Sequence, residues 1–333
     1  MIKYHKFKLF NNFINLPSSH KLGSKGLSQI IFFSLKKKII MKIISILYEI
    51  NLIYFFNLFF KLNAKNISKD LFILIQNTSH ESKKEIKFLI NKKTKVIDFI
   101  HKKGLNKLGK LAIKNEIKIL KYLNKKKINI CPKLFLKKGV YKQGFLSYEF
   151  SSIEIDKKKY LFLHKLIQKK KVSINKFVKE VKSSKLYSEI KYSYIQKFIS
   201  KIPTKIDSKY VISHGDFTPW NLLDNKKKHV VGIDWEYGEY NSLPFVDILH
   251  YQTKIDFLIN KNNSFNSNFL NITKNKNFKF YQKKLNIQNK DLNFYLKLSY
   301  IILILRWDKI MKNHPYPVYL RANLKVFFST DFT

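Results

Sequence analysis

Two short runs of β-branched and aromatic residues, each ending on an acidic loop, constrain this 333-residue chain more than any other feature. The first is Lys209-Tyr210-Val211-Ile212-Ser213, which runs into His214-Gly215-Asp216-Phe217-Thr218-Pro219-Trp220-Asn221. The second covers residues 230–233 and ends at Asp234 in Val230-Val231-Gly232-Ile233-Asp234-Trp235-Glu236. Such runs read as strands. Pro219 removes a backbone donor and favours a loop, and Asp224-Asn225-Lys226-Lys227-Lys228 is a turn signal. The expectation is a small hairpin whose two strands hold Asp216, Asn221 and Asp234 at one end.

One carboxylate, one carboxamide and a second carboxylate at this spacing match the pattern H-x-D-x-x-x-x-N with a following Asp. That is the spacing of a kinase catalytic loop. Phosphoryl transfer asks a protein for positioning and charge neutralisation more than for covalent work. A carboxylate must accept the proton of the acceptor hydroxyl, and hard oxygen ligands must hold Mg²⁺ against the nucleotide phosphates. Asp216 suits the first task; Asn221 and Asp234 suit the second. The rival chemistry is metal-assisted hydrolysis with His214, Asp216 and Asp234 as ligands. It leaves Asn221 without a role, and the sequence has no second His-rich cluster.

Residues 211–251 resemble the aminoglycoside phosphotransferase and choline kinase group, the small-molecule branch of the protein-kinase-like fold. The family's H-G-D-x-x-x-x-N-x-L is complete in residues 214–223. Asp234-Trp235-Glu236 and then Leu243-Pro244-Phe245-Val246-Asp247 are similar to its D-W-E followed by P-x-x-D. The resemblance implies an α+β, two-lobed protein-kinase-like fold, with a small β-rich N-lobe and a larger, mainly helical C-lobe. It implies ATP and Mg²⁺ as cofactors, Asp216 as catalytic base, and Asn221 with Asp234 as the metal ligands. His214 would orient the loop and Asp247 would brace it. The pattern departs from that of a protein kinase: Thr218 stands where a Lys is usual, and Trp235-Glu236 stands where Phe-Gly is usual. Asp247 follows Asp234 too closely for a long activation segment. A small hydroxylated acceptor, such as a sugar or an amino alcohol, is therefore expected rather than a polypeptide.

The nucleotide lobe is less motif-like. Residues 72–75, a polar turn over 76–82 and residues 86–90 read as strand, turn, strand, with no G-x-G-x-x-G. Residues 96–103 read as the next strand. Residues two apart on a strand share a face, so Ile100 and Lys102 point the same way, and Lys102 is the candidate phosphate lysine, with Lys103 beside it. Residues 111–123 read as a helix with an apolar stripe of Leu111, Ile113, Ile117, Leu120 and Leu123. Glu116 has only Ala112, Ile113, Ile119 and Leu120 as neighbours three and four away. It therefore needs a partner from elsewhere, and the strand lysine is the candidate. Cys131-Pro132-Lys133-Leu134 opens another strand. Residues 144–150 read as strand plus hinge, where the resemblance implies adenine contacts around Glu149.

The chain is long enough for two lobes and an extension. The expected division is a helical extension over residues 1–62, a nucleotide-binding lobe over 63–151, and a catalytic and acceptor-binding lobe over 152–333. Residues 30–62 are densely apolar but interrupted by Lys36, Lys37, Lys38, Lys42 and Glu49. Their longest uncharged stretch, residues 50–60, falls short of the about 20 residues that span a bilayer, and no cleavage-site pattern follows it. This segment reads as helices packed on the lobes or as a basic amphipathic surface for an anionic membrane. Two or three helices are expected between residues 156 and 206, with Leu163, Leu166 and Ile167 on one face. A polar helix pair is expected over 254–289 and a final buried helix over 292–311, ended by Pro315 and Pro317.

The net charge of +43 invites a nucleic-acid reading. All basic residues but Arg306 and Arg321 are Lys, however, whereas bidentate phosphate and base recognition favours Arg. Abundant Ile, Asn, Phe and Tyr point instead to A/T-rich codons, so no dedicated nucleic-acid binding is expected. The lone Cys131 allows no internal disulfide. The expected location is the cytoplasm, with the inner membrane's surface as the variant. The oligomeric state is left open. The alternative function is a non-catalytic kinase-like scaffold, membrane-associated in envelope polysaccharide assembly.

Overall fold

The structure, a computed structural model, describes residues 2–9, 12–17, 63–68, 72–77 and 81–332, excluding 95, 138–139, 147, 203–207, 226–228, 261–264 and 312–313. The chain is α+β and divides into two compact units. The first comprises Met1–Ser151, Leu223–Lys227 and Val231–Glu236; the second comprises Ser152–Leu222, Lys228–Val230 and Tyr237–Thr333.

The first unit is built on a sheet of order β3-β1-β2-β4-β5-β6-β8-β7. Its strands are β1 (Ile2–Leu9), β2 (Asn12–Pro17), β3 (Asn63–Ser68), β4 (Phe72–Asn77), β5 (Lys84–Ile90), β6 (Ile97–Gly104), β7 (Leu134–Lys137) and β8 (Val140–Gly144). β1 and β2 correct the expected helical extension over residues 2–17; residues 18–62 lie outside the described residues. The reason is visible in β1, where apolar and polar residues alternate with the period of a strand. Ile2 and Tyr4 alternate with Lys3 and His5, then the phase slips so that Phe7 and Leu9 alternate with Lys6 and Lys8. The ladder to β3 shifts register between Tyr4 and Lys6, as an extra residue in one strand requires.

β4 and β5 pair antiparallel with Ile75 opposite Ile86, and β5 and β6 pair with Ile86 opposite Lys102. Helix α1 (Lys107–Lys125) follows. Asn106 caps it, accepting from Gly109 N at 2.8 Å, and donates to the Glu81 carbonyl at 2.6 Å. Its buried stripe is Ala112, Ile113, Glu116, Ile119, Leu120 and Leu123. The stripe is rotated from the expected one: Leu111 is 53% exposed, and Glu116 sits inside the buried face. β8 ends at Gly144, where a strand was expected to begin. Instead the two-residue β9 (Glu149–Phe150) pairs with β12 (Leu222–Asn225), placing Leu223 opposite Phe150 and Asp224 opposite Glu149. β13 (His229–Gly232) lies on the other side of β12.

This corrects the expected hairpin. Its strands are β12 and β13, because Leu222 and Leu223 supply a further apolar segment after Asn221. The earlier run, β11 (Lys209–Ser213), belongs to a three-stranded antiparallel sheet of the second unit, between β10 (Ile167–Lys171) and β14 (Glu239–Ser242). The rest of that unit is helical. Before β11 come α2 (Lys157–Lys165), α3 (Ile174–Lys182), α4 (Lys185–Ser188) and α5 (Ser193–Ser200). After β14 come α6 (Val246–Ile255), α7 (Phe265–Lys274), α8 (Lys276–Lys284), α9 (Asn289–Ile310), α10 (Pro315–Ala322) and α11 (Leu324–Ser329). Ile167, expected on a helix, is the first residue of β10. α9 is apolar nearly all round and accordingly central, with Leu298, Tyr300, Ile301, Leu303 and Ile304 fully buried. It is not the last helix. Pro315 takes the first position of α10, where its missing N–H costs nothing, and the His314 ring accepts from Tyr316 N at 3.1 Å. Among the described residues no helix is long and apolar enough to cross a membrane.

Candidate active-site residues

In the first unit, three side chains distant in sequence meet. Lys102 Nζ lies 2.8 Å from Glu116 Oε1 and 2.9 Å from Asp234 Oδ1. Glu116 is fully buried, and Lys102 is 9% exposed. Burial alone would lower the Lys102 pKa, but Asp234 and Glu116 raise it well above its ordinary value, so the ammonium stays charged. Asp234 follows β13 with φ 62°, in the left-handed region that Asp tolerates better than most residues. The sequence reading missed a second pair beside this one, Lys84 with Glu236. Burial and the neighbouring Asp234 push the Glu236 carboxyl up to about 7. Asn115 Nδ2 donates to the Glu236 carbonyl at 2.9 Å. The signal for Lys84 exists only once the strand register is known. It stands opposite Gly104, two residues beyond Lys102 on the same face, which makes Lys84 the diagonal cross-strand neighbour of Lys102. Glu149 is exposed in β9, paired with Asp224, and is not among the groups gathered around Lys102.

In the second unit, β11 delivers the loop that carries His214, Asp216 and Asn221. Asp247, in the first turn of α6, takes the His214 amide at 2.7 Å and the Gly215 amide at 3.0 Å. Burial pushes the Asp247 carboxyl up to about 6 despite these two donors. Gly215 has φ 83°, and a Cβ there would collide with the Tyr237 carbonyl, so no other residue fits. The His214 ring is fully buried against Phe162 and Phe217; in this loop it packs, and its backbone amide anchors. Asn221 Nδ2 donates to the Asp216 carbonyl at 3.0 Å and to Asp216 Oδ2 at 2.8 Å. A carboxylate only accepts, so the carboxamide nitrogen must face it, which turns the hard Oδ1 of Asn221 away from Asp216. That orientation suits a metal ligand.

Sequence reasoning missed His250, whose Nε2 lies 2.9 Å from Asp216 Oδ1. His250 stands one helical turn after Asp247 and so shares its face of α6. Its other nitrogen meets Tyr316 Oη at 2.9 Å, and Tyr316 Oη meets Thr253 Oγ1 at 2.5 Å. The imidazole stacks on Trp307, with centroids 4.9 Å apart and planes at 11°. Burial holds its pKa down to about 4. The neutral ring therefore donates from Nε2 to Asp216 and accepts at Nδ1 from the Tyr316 hydroxyl. Burial, the largest single influence, pushes the Asp216 carboxyl up, but the His250 hydrogen bond and nearby positive charge such as that of Lys254 together outweigh it, and the pKa ends below its ordinary value. Asp216 is thus ionised and oriented, as a proton acceptor must be. Among the described residues, no three His, Cys, Asp or Glu side chains cluster as a metal site.

Residues 150–293 match the choline/ethanolamine kinase family, in agreement with the resemblance carried by residues 214–223. No curated protein matches the chain. Solved structures similar to it include a choline kinase from Streptococcus pneumoniae, with 13% identity over 77% of this chain and 89% of that one, at a TM-score of 0.46. An ethanolamine kinase from Plasmodium vivax has 13% identity over 90% of each chain, at 0.40. A spectinomycin phosphotransferase in complex with ADP and spectinomycin has 13% identity over 85% of this chain and 98% of that one, at 0.36. At such scores the functional case stays with the motif and the family match.

Proposed function

We propose, from a chain whose residues 150–293 match the choline/ethanolamine kinases, that it is a phosphotransferase with an alcohol group as acceptor, moving the γ-phosphoryl group of ATP to a hydroxyl of a small molecule. The observation that carries this reading is the ionised, doubly held Asp216 on a loop of the kinase spacing. Asp216 accepts the hydroxyl proton as the acceptor oxygen bonds to phosphorus and the bond to the leaving ADP oxygen breaks. His250 and Asn221 keep its carboxylate aimed, and Asp247 keeps the loop from moving. Lys102, held by Glu116, is the side chain assigned to the nucleotide phosphates. Asn221 and Asp234 are the residues that would hold Mg²⁺, which when bound supplies neutralisation of phosphate charge. A site that consumes ATP fits the cytoplasm, and the short acid spacing after Asp234 fits a sugar or amino alcohol better than a polypeptide.

The test is Mg²⁺-dependent ATP consumption by the purified chain across a panel of hydroxylated acceptors, repeated with Asp216→Asn. Turnover should fall by about 10²–10⁴-fold while nucleotide affinity holds. Equal turnover by both proteins would overturn the assignment. Nucleotide binding without turnover on any acceptor would favour the non-catalytic scaffold.

A further inference from the structure

We infer that Lys254 recognises the acceptor, and that the acceptor carries an anionic group, a carboxylate or a phosphate, rather than a cationic head. The inference rests on the phosphotransferase reading above and narrows it to a substrate class.

Lys254 lies in the last turn of α6, one turn beyond His250, and only 7% of it is exposed. An ammonium has three donors and no acceptor. Among the described residues, Lys254 has no carboxylate within ion-pair reach and no hydrogen-bond acceptor. Its partners are two ring faces: Nζ stands 4.6 Å from the centroid of Trp307 and 3.9 Å from that of Tyr316. Ring faces attract the charge but leave the N–H groups unfilled, and a buried charge without hydrogen-bonding partners is costly.

The same rings lead to the base. Tyr316 hydrogen-bonds His250, Trp307 stacks on His250, and His250 hydrogen-bonds Asp216. The charge of Lys254 is close enough to favour the ionised form of Asp216. An acceptor whose hydroxyl lies at Asp216 would thus place its remaining groups within reach of an ammonium that lacks acceptors. A carboxylate or phosphate fills those donors with charge-assisted hydrogen bonds. A cationic alcohol finds the opposite. The aromatic faces that would stabilise its ammonium are already occupied by Lys254, and like charge meets like charge.

The test uses a hexose series of matched shape and different charge: glucuronate, glucose 1-phosphate, glucose and glucosamine. For the wild-type chain, kcat/KM on the better anionic member should exceed that on glucosamine by about 10–100-fold. The comparison of glucuronate with glucose 1-phosphate tells carboxylate from phosphate. Lys254→Met should bring the ratio of anionic to neutral kcat/KM towards unity, mainly through KM on the anionic members; Lys254→Arg should retain the anionic preference. A wild-type preference for glucosamine would overturn the inference. So would a Lys254→Met chain that keeps the preference or loses all four activities equally. If ATP is turned over with none of the four, calorimetric titration of both anions into wild type and Lys254→Met separates the two readings. Binding that Lys254→Met abolishes supports the inference even as phosphotransfer to these sugars fails; equal or absent binding in the two proteins overturns it.

Discussion

Replacing His250 with Gln should remove an acid-labile component of stability without removing the hydrogen bond to Asp216. The Gln amide donates as the imidazole does and has no titrating proton. In the folded chain, burial holds His250 at about 4, against an ordinary value of 6.5. Between those values the unfolded chain binds a proton that the folded chain refuses. The contribution is therefore complete above pH 6.5 and is lost as the pH falls towards 4. At 1.36 kcal/mol per pH unit the loss amounts to about 3 kcal/mol. The groups that act on this ring are Asp216, Lys254 and Arg306. Asp247 and Glu236, both raised in the folded state, shift stability the other way on acidification. They are present in both proteins and cancel in the difference. Urea denaturation of wild type and His250→Gln at several pH values from 7 to 4 reads this directly. A constant offset is expected from the lost stacking on Trp307. Superimposed on it, the wild-type advantage should shrink by about 3 kcal/mol across the window. A difference that stays flat to within about 0.5 kcal/mol would refute the buried neutral imidazole and with it the assigned direction of the Asp216 hydrogen bond.

Other outcomes follow from the ion pairs and the loop. Lys102→Met strips the fully buried Glu116 of its partner and should cost about 3–5 kcal/mol in denaturation; Lys102→Met with Glu116→Leu should recover much of that stability while nucleotide binding stays impaired. Asp247→Ala leaves the His214 and Gly215 amides unpaired and should cost about 1.5–3 kcal/mol, read as a lowered Tm together with reduced kcat. Asp234→Ala should weaken binding of Mg-ATP, measured by calorimetry, more than binding of ATP in chelator; equal weakening in both would remove Asp234 from the metal-ligand assignment.

Contacts between the candidate residues are legible where their spacing is set by a single strand, helix or loop. The pattern over residues 214–223 brings Asn221 onto Asp216, and the pairing of Lys102 with Glu116 follows from strand parity and from an acid amid apolar helix neighbours. What escaped depended on pairing between distant segments. His250 looks like any helix residue until the loop after β11 is laid against α6. Lys84 acquires meaning only from the β5–β6 register. The hairpin's strands are not legible, because residues 209–213 and 230–233 both have strand composition and composition is silent about which partner each takes. Residues 2–17 read as the start of a helical extension because the apolar density of residues 30–62 outweighed a local alternation of period two.

The turn at Gly215 has a consequence for how this protein can be altered. Its Cα faces the Tyr237 carbonyl too closely for any side chain, and both amides around it are tied to one carboxylate. Directed evolution cannot re-aim the base by substitutions within that turn. New acceptor preferences would have to be selected outside that turn, at positions such as Lys254 that do not hydrogen-bond the base or its supports.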